Sequence, residues 1–209
     1  MNLTISSYLK ITNDKCSLNG LDFYTFKNDK EHSNIKQLYK FIDLKYPKFY
    51  KMDLLSKYGF LASEIIISNN KQLANYNDDE IVMIFANSNS STSTDLKYLE
   101  TIEKDKPSPS PSMFVYTLPN ILLGEICIKN KWYGENMFFV LESFDSNFLS
   151  LYAETLMKEN NAKACIVAWV DVSLENKDVF IALIEKSEIG NDSKAIEFTN
   201  ENLNNKYKQ

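Results

Sequence analysis

Residues 111–171 read PSMFVYTLPNILLGEICIKNKWYGENMFFVLESFDSNFLSLYAETLMKENNAKACIVAWVD. Within this stretch, apolar segments of two different lengths alternate. Residues 116–129, YTLPNILLGEICIK, have helical length and begin near Pro119, a residue tolerated in a first helical turn. Residues 137–142, MFFVLE, are too short for a helix and read as a strand. Residues 144–158, FDSNFLSLYAETLMK, return to helical length, with apolar side chains nearly all round, among them Phe144, Leu149, Leu151 and Met157. A helix of that kind is expected to be buried on several sides. Residues 164–170, ACIVAWV, close the stretch as a further apolar strand.

The same alternation extends outward in both directions. Residues 3–11, LTISSYLKI, carry β-branched residues and read as a strand, and an amphipathic helix is predicted at 34–44. In KMDLLSKYGFLASEIII, 51–67, the residues Leu54, Leu55, Tyr58, Leu61, Ala62, Ile65 and Ile66 fall on one side of a helix. EIVMIFAN, 80–87, is nearly continuously apolar, the pattern of a strand covered on both faces. A polar loop, SNSSTST at 88–94, leads to a helix at about 94–104. Downstream, VFIALI at 179–184 forms another strand, joined to 164–170 through the turn-like Glu175–Asp178. Residues 1–190 form one domain on this reading, and 191–209 a polar, ragged C-terminal tail. Alternating buried strands and helices predict an α/β layered fold.

With 209 residues the chain can bury a substantial core, and its net charge of −5 disfavours nucleic acid and anionic membrane as partners. No apolar run approaches the ~20 residues that span a bilayer. The first residues, Met1-Asn2-Leu3-Thr4-Ile5, lack the pattern of a signal peptide, so a cytoplasmic location is expected. Cys16, Cys127 and Cys165 are widely spaced, which suits buried thiols in a reducing compartment better than a disulfide framework. The single histidine, His32, lies in a polar stretch and reads as an exposed loop residue. A metal site built on several histidines is thereby excluded, and no cofactor is expected.

Asn120, Gly124, Gly134 and Ser143 follow the spacing N-x3-G-x9-G-x8-X. This series resembles the approach to the nucleophilic cysteine of β-ketoacyl synthases of the thiolase superfamily, with Ser143 at the cysteine position. NAKACIVAWVD, 161–171, takes the place of the family's next strand, and Lys51-Met52-Asp53 is similar to its early R-x-M-D helix. The resemblance covers most of 1–185 and runs straight across PSPSPS, 107–112, which is therefore not read as a domain linker. It implies half of a thiolase-like αβαβα fold.

The departures from the family bear on chemistry. A serine hydroxyl needs a neighbouring base, where a cysteine at a helix N-terminus does not. Glu142 beside it opposes developing negative charge, and Ala168-Trp169 replace the family's Gly-Gly. The active-site histidines and lysine of ketosynthases lie in their C-terminal half, outside the part that this chain resembles. Ser143 is accordingly read as the N-cap of helix 144–158 rather than as a catalytic residue.

The resemblance implies a non-catalytic, chain-length-factor-like subunit. It would pair with a full-length ketosynthase, shape its acyl tunnel and help to dock acyl carrier protein, in fatty-acid, polyketide, aryl-polyene or flexirubin-type biosynthesis. Met113 and Phe114 would reach the partner's tunnel. Phe138, Phe139 and Val140 would lie in a strand that pairs across a pseudo-twofold, or across a homodimer when the chain is alone. A proline at Phe139 is expected to abolish that pairing. The alternatives are a small acyltransferase or hydrolase using Ser143, and a stand-alone carrier-binding module.

Overall fold

A computed structural model describes residues 2–28, 33–103, 108–186 and 196–209. In chain order the elements are β1 (Leu3–Ile11), β2 (Lys15–Leu18), β3 (Leu21–Thr25), α1 (Asn34–Phe41), α2 (Leu54–Asn69), β4 (Ile81–Asn87), α3 (Thr92–Ile102), α4 (Pro111–Val115), α5 (Ile121–Asn130), β5 (Asn136–Val140), α6 (Ser146–Glu159), β6 (Ala164–Val172), β7 (Lys177–Lys186), β8 (Ile196–Glu197) and α7 (Asn200–Tyr207). All the strands join one mixed sheet in the order β3-β2-β1-β7-β6-β4-β5. The short β8 pairs with the first residues of β1, beside the part of that strand that pairs with β2. β4 runs parallel to both β5 and β6, while β7 is antiparallel to β6 and β1.

Two cores form because successive side chains of a strand point to opposite faces. Met83, Phe85, Ile166 and Ile181 face α2 and α5, while Val82, Ile84, Val167 and Phe180 face α6 and α7. β4 is buried at every position, as its continuous apolar run requires. The result is helix, sheet and helix in three layers, the layered α/β arrangement that alternating buried strands and helices predict.

On the first face α2 crosses α5 at Gly59, where an added Cβ would lie 2.4 Å from Leu122 Cδ2. Two buried carboxylates accompany this packing. Glu64 pairs with Lys129 at 2.5 Å and accepts from Asn130. Glu125 pairs with Lys48 at 2.8 Å and accepts from the Tyr116 hydroxyl. Asp53 caps α2 by accepting from Ser56 N, and also accepts from Thr94 Oγ1, which ties α2 to α3.

Several expectations need correction. The polar C-terminal stretch is not ragged from 196 onward: β8 extends the sheet, Leu203 is fully buried, and Phe198 N donates to Leu3 O. The Tyr207 ring stacks on Phe144 at 3.9 Å, and its hydroxyl donates to Asp178, which also pairs with Lys10. A few inward apolar side chains suffice to anchor a helix whose other residues are polar. The boundary drawn at 190, His32 and Pro107 lie outside the described residues.

Residues 15–25 hold a hairpin where no strand is predicted. Its two-residue turn, Asn19-Gly20, has positive φ at both positions, the geometry that Asn-Gly favours. The helix expected to begin near Pro119 begins at Ile121, and the separate short α4 precedes it. α6 is buried on one side rather than several: Leu149, Ala153 and Met157 face the sheet, while Leu151 is 63% exposed. Ser143 does not cap α6; Asp145 does, accepting from Phe148 N at 2.9 Å.

Candidate partner interface

β5, NMFFV, is apolar on both faces, so it anchors on the two cores at once. Phe138 packs against the α2–α5 core, and Phe139 packs between Phe148 and Tyr152 on the α6 side. Gly134 brings the chain down onto β4 just before the strand. A Cβ there would lie 2.0 Å from the carbonyl oxygen of Ile81, so only glycine allows this approach.

Among the described residues, β5 pairs with β4 alone and ends the sheet. The direction of its backbone groups follows from two hydrogen bonds, Met83 N to Glu135 O and Leu141 N to Asn87 O. Backbone groups alternate along a strand, so the N–H and C=O groups of 137 and 139 also point to β4. Those of Asn136, Phe138 and Val140 point to the open edge. The Phe139 amide therefore belongs to the internal ladder, and a proline there would damage the domain itself. The expectation for Phe139→Pro is corrected on that ground.

The surroundings of this edge are apolar. Met137 is 38% and Val140 55% exposed. α5 packs beside β5 and turns Asn120, Gly124 and Ile128 outward at one-turn spacing. Gly124 has open space where a Cβ would stand. Asn120 occupies the N-cap position of α5 but makes no side-chain capping bond. Phe114, 53% exposed, extends from α4 beside Tyr98, whereas Met113 is half-buried and lines a cavity within its own chain. An apolar strand edge of this kind is a template for pairing with another chain.

Beyond β5 the chain turns through Leu141, Glu142 and Ser143. Phe144 then inserts among Trp169, Phe180 and Tyr207. Glu142 and Ser143 are exposed. Among the described residues Ser143 Oγ has no hydrogen-bond partner, so nothing in them raises its nucleophilicity. At the neighbouring carboxyl ends of β4 and β6, Ser88 Oγ donates to Asp171 at 2.7 Å and Asn89 donates to the same carboxylate. The two fully buried thiols offer no substitute nucleophile. Burial pushes Cys16 up to about 12, and raises Cys165 as well.

Phe138, Phe139 and Val140 lie in one strand, β5, and Gly134 in the turn before it. The fold does not bring Ser143 to a base among the described residues. The direction of the edge amides has no sequence signal, because it depends on which partner strand is already in place.

No protein-family model matches the sequence, and neither does any curated protein. Solved structures do match its fold. The ishigamide ketosynthase/chain length factor superposes with a TM-score of 0.66 at 13% identity, over 91% of this chain and 64% of that one. A ketosynthase in complex with its chain length factor, from Xenorhabdus doucetiae, gives 0.60 at 11% identity, over 90% of this chain and 81% of that one. A type II polyketide synthase acyl-carrier protein in complex with its hexaketide-bound ketosynthase gives 0.57 at 12% identity, covering 88% and 62%. The chain thus spans less than two thirds of the first of these proteins.

Proposed function

We propose that this chain is a chain-length-factor-like, non-catalytic subunit that pairs with a full-length ketosynthase through the open edge of β5. The observation that carries this reading is the apolar edge, with the free amides of Phe138 and Val140 flanked by exposed Met137 and Ile128. The fold shared with ketosynthase and chain-length-factor structures supports it. Ser143, exposed and without a base among the described residues, supports a role without covalent catalysis. α6 adds a second uncovered surface through Leu151. In this reading Phe114, not Met113, is the side chain free to reach a partner's acyl tunnel. An obligate interface of this type buries more than ~2,000 Å² in total.

The test is co-expression with a full-length ketosynthase from the same genome, followed by size-exclusion chromatography. The wild-type chain co-elutes with it. Val140→Pro removes a donor from the open edge while sparing the ladder to β4, so the variant stays folded and elutes alone. Co-elution of that variant would place the interface elsewhere. Failure of the wild type to co-elute would end the reading.

A further inference from the structure

An open cavity of about 320 Å³ lies where the start of α2 meets α3 and α4, at the lower end of the size of small-molecule sites. Three lysines line it, Lys51, Lys57 and Lys97. Ser93 and Ser112 add hydroxyl groups, and the half-buried Met113 adds apolar surface.

The charge in this cavity is unbalanced. Among the described residues Asp53 is the one carboxylate lining it, and both of its oxygens are engaged, by Ser56 N and Thr94 Oγ1. Among the described residues none of the three lysine ammonium groups forms an ion pair or hydrogen bond, although six other lysines do pair with carboxylates. Lys57 is half-buried on α2. Burial lowers its pKa first of all, with Asp53 opposing and the Lys36 and Lys97 charges adding to the effect. Holding a cation partly out of water with like charges nearby is unfavourable, and an anion in the cavity would relieve it. α2 also directs its positive N-terminal end here through Leu54.

We infer that this cavity binds a small phosphate monoester, its phosphate held by Lys51, Lys57 and Lys97 and its organic end against Met113. Three cations with hydroxyl donors suit a dianion with several acceptor oxygens better than a single carboxylate. The site is concave and lies within this chain, so it does not depend on pairing with a ketosynthase.

The test is isothermal titration of the full chain with phenyl phosphate, benzoate and phenol near neutral pH and at physiological ionic strength. Saturable one-site binding of phenyl phosphate is expected, with phenol silent and benzoate weaker. Lys57→Met and Lys97→Gln each weaken phenyl phosphate by about tenfold, the loss expected for one charge-assisted contact. Should Lys57→Met fail to fold, Lys97→Gln decides, because Lys97 is exposed and its ammonium forms no hydrogen bond or ion pair among the described residues. Absence of saturable binding, unchanged affinity in the variants, or benzoate binding as tightly as phenyl phosphate would each overturn the inference.

Discussion

Gly124 and Gly134 stand in the same sequence motif, yet alanine at the two positions should move stability in opposite directions. Gly124 lies inside α5 with no atom, apart from its chain neighbours and the local helix backbone, within 4 Å of the place a Cβ would take. Alanine there loses no contact and gains helix propensity, about 1 kcal/mol. For a domain of this size that raises the thermal midpoint by about 2–4 °C. At Gly134 the new Cβ would lie 2.0 Å from Ile81 O and 2.8 Å from Ile81 C. Those are backbone atoms of the fully buried β4, so no side chain can rotate away, and β5 must lift from its neighbour. Overpacking of this kind costs about 2–3 kcal/mol, or about 4–12 °C. Thermal unfolding of the two variants by circular dichroism checks both signs. A destabilising Gly124→Ala would mean that this face of α5 is covered in the isolated chain. An unchanged midpoint for Gly134→Ala would mean that the chain does not press onto β4 there, and the geometry of the edge strand would fall with it.

Two other expectations follow from the loop and the thiols. Asp145→Ala removes the cap of α6 and costs about 1 kcal/mol, while Ser143→Ala leaves chemical-denaturation midpoints unchanged; the reverse ranking would return the cap to Ser143. Burial raises the pKa of all three thiols, but Cys127 is less buried than Cys16 and Cys165. A disulfide reagent applied to the native chain at mildly alkaline pH should label Cys127 first. Rapid labelling of Cys165 would show that the sheet opens on that side.

The layered α/β fold was readable because its strands carry unbroken apolar runs, as in IVMIFAN and ACIVAWV, and because α2 keeps a helical period. β2 and β3 escaped notice because KCSL and LDFYT are short and half polar, although Asn19-Gly20 between them is a hairpin signal in plain view. α7 escaped because polarity dominates its composition, while its hold on the sheet comes from Leu203 and Tyr207. At the candidate site, apolar content marked β5 correctly. The cap was misplaced by two residues, since serine and aspartate both cap helices and only the path of the chain past Phe144 decides between Ser143 and Asp145. The cavity with its three lysines joins residues from α2, α3 and α4 and the segment before α2, so it exists only after folding.

Amide hydrogen exchange reads the proposed pairing of the β5 edge with a ketosynthase strand residue by residue. Phe138 and Val140, whose amides point to the open edge, should exchange freely in the isolated chain and become protected when a full-length ketosynthase is added. Met137 and Phe139, already bonded to β4, should change far less. Equal exchange at Phe138 and Val140 with and without the ketosynthase, under conditions where the two proteins co-elute, would contradict the pairing.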